Sequence, residues 1–175
     1  MTGALLVGGA SRRFGSPKAL ACLEGETLAE RAHRTLAEAC EHVIVVGKRD
    51  DGLELPFPVA DDGSDVRAAV IGVAAALRHA ADEIVVVLPT DMPTVTPAYL
   101  LELAAAVREG APAAHAQAGP LPAALRRSLL PVLERRIAEG TYALRDAMRE
   151  LGARVVPGNP VLLRNVNTRD DLARL

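Results

Sequence analysis

Short apolar runs rich in branched side chains alternate with longer stretches of helical apolar spacing through the first 110 residues of this chain. Gly3 to Val7 is an uninterrupted apolar run that stops at Gly8-Gly9, which fits a buried parallel strand followed by a glycine loop. Thr27-Leu-Ala-Glu30 has the capping-box pattern, and Leu28, Ala32, Leu36 and Ala39 continue one face, so a helix is expected from about Thr27 to Cys40. His42 to Val46 predicts a second strand, ended by Gly47, and residues 48–57 a polar loop. Pro58-Val-Ala60 predicts a short third strand. The turn Asp61-Asp-Gly-Ser-Asp65 is expected to cap a long Ala-rich helix reaching Ala80. Glu83 to Leu88 is the strongest strand signal, and Pro89 ends it. Thr96-Pro97 opens a helix running to about Glu109, with Thr as N-cap and Pro in the first turn.

Beyond residue 110 the rhythm changes. Ala113 to Gln117 and Leu121 to Leu125 predict two short strands around Gly119-Pro120. Helices are expected near Ser128–Glu139 and Thr141–Leu151, then a strand near Arg154–Val156 and a last short helix after Asn165-Val-Asn167-Thr168. Strands alternating with helices require right-handed crossovers and hence a parallel sheet, so the fold class is α/β. No repeat, linker or low-complexity tract interrupts the pattern, and residues 1–175 are assigned to one domain. Parallel sheets bind ligands outside the carboxyl ends of their strands. Three polar or glycine-rich segments follow strands in that way: residues 8–18, residues 61–65, and Thr90 to Pro93. They are expected to meet at one crevice.

Composition narrows the chemistry. With 50% hydrophobic and 24% charged residues the chain is globular rather than disordered. The net charge of −2 argues against general binding to nucleic acid through its phosphates, and 2% aromatics argue against a base-stacking surface. Two cysteines, Cys22 and Cys40, make neither a disulfide framework nor a four-ligand zinc site. No apolar stretch reaches the roughly 18 residues of a spanning helix, and the N-terminus lacks a basic leader, so a cytoplasmic protein without membrane attachment is expected. Lys occurs only at positions 18 and 48, against 18 Arg, so each Lys draws notice.

The loop after the first strand carries the densest chemistry. Paired glycines let backbone N–H groups approach an anion, and Arg12, Arg13 and Lys18 bring three cations within seven residues. That combination suits a triphosphate or pyrophosphate. The spacing excludes a Walker loop, because Ser16-Pro17 separates Gly15 from Lys18. It excludes the dinucleotide fingerprint, which Gly8-Gly9-Ala10 breaks, and the nucleophile elbow, which needs Gly where Arg13 stands. Asp91, in Leu88-Pro-Thr-Asp91-Met-Pro93, follows the strongest strand, where a carboxylate faces the expected crevice and can hold Mg²⁺. The four histidines show no ligand spacing; only His115, in the irregular later section, is placed to border an acceptor pocket.

Gly8-Gly9-Ala-Ser-Arg-Arg13-Phe-Gly15-Ser-Pro-Lys18 resembles the G-G-x-S-x-R-M/F-G-x-x-K signature of small nucleotidyltransferases, and most closely the molybdenum cofactor guanylyltransferase (MobA-like) family. Asp91-Met-Pro93 resembles that family's metal-binding motif, and Asn165-Val-Asn167-Thr168 with Asp170-Asp171-Leu172 its N-x-N-T-x-x-D-L ending. The resemblance implies a Rossmann-like three-layer α/β/α sandwich of nucleotide-diphospho-sugar transferase type. It implies that Leu6, Val7, Gly8 and Gly9 hold the nucleotide through their backbone, and that Arg13 and Lys18 contact its phosphates. Asp91 is then catalytic and metal-binding, with Mg²⁺ as cofactor. Asp61 contacts the base, with Asp62 adjacent, and Asn165 and Asn167 complete the metal shell or orient the acceptor. Gly119-Pro-Leu-Pro122 falls on the family's acceptor side.

The implied reaction moves GMP from GTP to molybdopterin and releases pyrophosphate. The implied setting is a monomer or weak homo-oligomer in transient contact with molybdoenzyme assembly proteins. This chain departs from the family at Ala68-Ala-Val-Ile-Gly72, where G-P-L-A-G stands in relatives. That departure bears on guanine specificity and keeps open a non-catalytic binder of nucleotide or pterin. Ser16-Pro17-Lys18, where guanylyltransferases often carry Asp before Lys, keeps open a cytidylyltransferase using CTP or another transferase to a small phosphorylated acceptor.

Overall fold

The computed structural model describes residues 1–8, 14 and 17–175. Four strands, β1 (Thr2–Leu6), β4 (His42–Gly47), β5 (Ala60–Asp61) and β6 (Ile84–Pro89), run parallel, with β1 between β4 and β6. They continue into β8 (Ala123–Arg126), β7 (Ala113–Ala116) and β9 (Arg154–Val156), in the order β5-β4-β1-β6-β8-β7-β9. Among these β8 alone pairs antiparallel with both neighbours, so the sheet is mostly parallel. A separate two-stranded hairpin, β2 (Cys22–Leu23) with β3 (Glu26–Thr27), precedes the first helix.

Side chains alternate across the sheet, and each face is roofed by helices. Leu5, Val86 and Leu88 point toward α1 (Leu28–Ala39) and α3 (Pro97–Arg108). Ala4, Leu6, Val85 and Val87 point to the other face, against α2 (Ala69–His79), α4 (Leu130–Ala138) and α5 (Leu144–Glu150). Burial on both faces is why these strands read as continuous apolar runs rather than as alternating ones. The result is the Rossmann-like α/β/α sandwich with a mostly parallel sheet. A last short helix, α6 (Arg169–Ala173), lies outside it.

Local signals account for the starts of α1, α3 and α6. Thr27 accepts from the Glu30 N–H at 3.1 Å while the Glu30 carboxylate accepts from the Thr27 N–H at 2.9 Å, a complete capping box on α1. Thr96 caps α3, with Pro97 in its first turn. Thr168 and Asp171 cap α6 reciprocally.

Several boundaries differ from expectation. The third strand forms at Ala60–Asp61 rather than at 58–60, because only there does the chain pair with the end of β4. Helix α2 begins at Ala69, not at Asp65. Residues 62–68 stay a loop because Lys48 ties the carbonyls of Ser64 and Val66, and Asp62 accepts the Ser64 N–H at 3.1 Å. The helix expected from Ser128 opens as a 3₁₀ turn over Arg127–Leu129 before α4, and α5 starts at Leu144, past Thr141. The β2–β3 hairpin was not expected from the apolar pattern, since each strand has only two residues.

Candidate functional site

The carboxyl ends of β1, β4, β5 and β6 open into a cleft of about 480 Å³. One end is walled by Leu6, Gly8, Val46, Lys48, Asp62 and Gly72; the other by Asp91, Met92, Gly119, Leu121, Arg145 and Asn165. The segments after β1, β5 and β6 therefore do meet, as the strand order requires.

Asp91 is placed by backbone bonds on either side. The Thr90 N–H donates to Leu6 O at 3.3 Å, which ties the exit of β6 to the exit of β1. The Val166 N–H donates to Asp91 O at 2.8 Å, which draws Asn165 and Asn167 alongside. Lys18 stands in a short 3₁₀ turn, Lys18–Leu20, and its Nζ lies 3.4 Å from both Asp91 Oδ2 and Asn167 Oδ1. Asn167 is steadied in turn, since its backbone N–H donates to Asp171 Oδ2 at 2.9 Å; that contact is the chief reason the Asp171 carboxyl sits below the usual carboxylate range. Residues separated by as many as 149 positions thus share one cluster.

The oxygens of Asp91 and Asn167 already share a cation, the Lys18 ammonium, so this pair fits a positive ion. Carboxylate and amide oxygens suit a hard divalent ion such as Mg²⁺ rather than a soft metal. Among the described residues no three His, Cys, Asp or Glu side chains gather closely enough to hold a metal by themselves. Phosphate oxygens and water would complete such a shell, which is the usual habit of Mg²⁺.

The remaining expected residues fall as follows. Leu6 and Gly8 line the cleft. Val7 turns away: it is 5% exposed, packs in the core, and spends its N–H on Val46 O at 2.9 Å. Gly9 and Arg13 lie outside the described residues. Asp61 does not line the cleft; its carboxylate accepts the Gly63 N–H at 3.3 Å and lies 3.4 Å from Arg49. The neighbouring Asp62 lines it instead, at 9% exposure, because side chains at successive strand-end positions face opposite ways. Asn165 lines the far end. His115 lies behind the cleft wall, with Nδ1 at 2.9 Å from Gly119 O and 2.8 Å from Ala116 O, bracing the turn that does line it.

Three charged cleft residues were not singled out for the site from sequence. Lys48 carried one signal, its rarity in an Arg-rich chain. Arg67 bridges to Asp51 at 2.6 Å, and Arg145 projects from α5; nothing in the local sequence places either near β1. Gly72 packs α2 against β1, where an added Cβ would stand 3.2 Å from Leu6 Cδ2.

Residues 3–155 match the family model described as the MobA-like NTP transferase domain. The chain belongs to that family. Molybdenum cofactor guanylyltransferase of Serratia proteamaculans is 31% identical, the match covering 99% of this chain and 93% of that one. The enzyme of the same name from Desulfosudis oleivorans is 28% identical over 99% of this chain and 93% of its own length. Among solved structures, molybdopterin-guanine dinucleotide biosynthesis protein A from Archaeoglobus fulgidus superposes with a TM-score of 0.85, at 27% identity over 99% of this chain and 96% of that one. As a MobA-like transferase the chain is an enzyme of nucleotidyl transfer, and the shared length runs past both ends of the cleft.

Proposed function

We propose that the chain transfers GMP from GTP to a molybdopterin-type acceptor, releasing pyrophosphate, in the cytoplasm. The observation that carries this reading is the meeting of Lys18, Asp91 and Asn167 at one end of a cleft whose other end presents Gly8 and Asp62. In the proposed pose the base lies toward Asp62 and the triphosphate follows the loop after β1 toward Lys18. The acceptor approaches from Gly119, Arg145 and Asn165. An oxygen of the acceptor's phosphate attacks the α-phosphorus, a new P–O bond forms, and the bond from the α-phosphorus to the bridging oxygen breaks as pyrophosphate leaves.

No covalent nucleophile is required of the protein, because the acceptor phosphate already carries charge. Alignment and electrostatics do the work. Lys18 neutralises charge on the departing phosphates, and Arg13 joins it in that role. Asp91, with Asn167 and Asn165 beside it, holds Mg²⁺, which when bound supplies positive charge to the phosphate oxygens. Gly8 leaves room for a phosphate against the backbone. The guanylyltransferase names of full-length relatives support guanine and molybdopterin.

A second nucleotide, CTP, is favoured by one feature: Ala68-Ala69 opens α2 without the Gly-Pro turn of the family, and Arg67 stands beside it in the cleft. Calorimetric binding of GTP and CTP, each with Mg²⁺, separates the two, and tighter binding of CTP would transfer the reading to a cytidylyltransferase. On the enzyme itself, Asp91→Ala should lower pyrophosphate release with a phosphorylated pterin acceptor by about 10²-fold or more, the scale of losing a preorganised charge in the transition state. Undiminished turnover in a folded Asp91→Ala protein would remove Asp91 from the reaction.

A further inference from the structure

We infer that Lys48 is a positioning residue for base selection, an inference that rests on the cleft being a nucleoside triphosphate site. Lys48 leaves β4 just after Gly47, and its side chain is 11% exposed. Its Nζ donates to Asp62 Oδ1 at 2.8 Å, to Val66 O at 2.7 Å, and to Ser64 O. An ammonium has three protons, and all three are spent. Lys48 therefore contacts no phosphate from this position, although it lines the cleft. It acts through what it holds.

What it holds is the Asp62 carboxylate and the loop that carries it. Oδ1 of Asp62 accepts twice, from Lys48 and from the Ser64 N–H at 3.1 Å, and the Asp62 N–H is fixed to Gly47 O at 2.9 Å. Rotation of the carboxylate is thereby blocked, and Oδ2 is left to accept from the cleft. A fixed carboxylate oxygen selects for N–H donors on a base edge. Guanine offers two adjacent ones, its ring N1–H and its 2-amino group, whereas hypoxanthine offers only the ring N–H. A site built to hydrogen-bond a group discriminates against analogues that lack it, and with hypoxanthine Oδ2 keeps one donor and loses the second that guanine supplies. That discrimination depends on the carboxylate staying put, which is the task assigned to Lys48. The two carbonyl bonds serve the same end by holding residues 64–66 out of α2, so that the loop stays at the cleft wall.

The test compares binding of GTP and ITP, each with Mg²⁺, to the full chain and to K48M, K48R, D62N and K48M/D62N, with melting midpoints recorded alongside. K48M is expected to shrink the GTP-over-ITP preference by about tenfold, as expected for a charged hydrogen bond that loses its fixed geometry. K48R, which keeps donors but not their placement, recovers part of it. On the D62N background K48M is expected to change the preference no further, while its effect on the melting midpoint persists. A folded K48M with the preference of the parent overturns the inference, as does an equal loss with and without Asp62. If K48M does not fold, K48R decides: an unaltered preference there overturns it. A parent chain that binds no nucleoside triphosphate overturns the proposed function itself, a distinct failure.

Discussion

His33 on α1 stacks on Phe57 with ring centroids 4.4 Å apart and planes 10° from parallel, and burial pushes its imidazole below its usual value of 6.5. The folded state therefore takes up this proton less readily than the unfolded chain. Stability from the neutral ring is fully present above about pH 6.5 and is lost as pH falls through the lower folded value. Urea midpoints measured on either side of that window should fall on acidification, and His33→Phe, which keeps the stack and removes the proton, should flatten the fall. Equal slopes in the two proteins would rule out the assigned cause. At this scale much of the candidate site was legible. Lys18 and Asp91 were marked by residue type beside glycines, prolines and strand ends, Asn165 and Asn167 by resemblance to the family's C-terminal motif, and the structure brings them to one end of the cleft. Asp61 against Asp62 was not legible, since adjacent carboxylates differ only in which way the strand end turns them.

Among the elements, the stretch from β9 to Asn165 shows how an irregular segment becomes precise. The Tyr99 hydroxyl on α3 donates to Val156 O at 2.8 Å, and the Thr94 hydroxyl donates to Leu162 O at 3.2 Å. Gly158 passes between these anchors so closely that an added Cβ would stand 2.7 Å from Leu163 Cδ1 and 2.8 Å from Tyr99 Cε2. Tyr99 and Leu163 are 6% and 4% exposed, so neither side chain has open space to retreat into. Gly158→Ala should destabilise the fold by about 1–3 kcal/mol, the usual cost of overpacking, measured by denaturant midpoint. Because residues 157–164 lead directly to Asn165, nucleotide turnover should fall with it. The helices of the first half were foreseen wherever a Thr and a proline or glutamate stood at the start. Boundaries shifted at α2 and, in the second half, at α5, where tertiary bonds from Lys48 and the packing of Leu144 override the nearest polar residue.

For the whole molecule, the cleft is a seam between two halves of the sheet. One wall comes from β1, β4 and β5, the other from β6, the β7–β8 connection, α5 and the C-terminal segment. A ligand spanning the seam binds only the folded state and should raise the melting midpoint with the logarithm of its concentration once that exceeds the dissociation constant. At one hundred times its dissociation constant it adds about 2.7 kcal/mol. GTP with Mg²⁺ is expected to produce this shift in the parent and a smaller one in Asp91→Ala. No shift in the parent at millimolar nucleotide would argue against an NTP cleft. Among the described residues no helix is long and apolar enough to cross a membrane.

Apolar runs ending in glycine or proline, set between helical repeats, were enough to determine a mostly parallel sheet roofed on both faces, because strands buried on two sides leave no other pattern. The same local chemistry determined that anion-friendly loops sit at the carboxyl ends. Tertiary structure alone decided which aspartate faces the cleft, that Lys48 spends every proton on the loop it holds, and that Arg67 arrives from the loop before α2 and Arg145 from α5. Those outcomes depend on distances between segments far apart in the chain, and on the pairing of polar atoms that burial enforces, neither of which a local window of sequence contains.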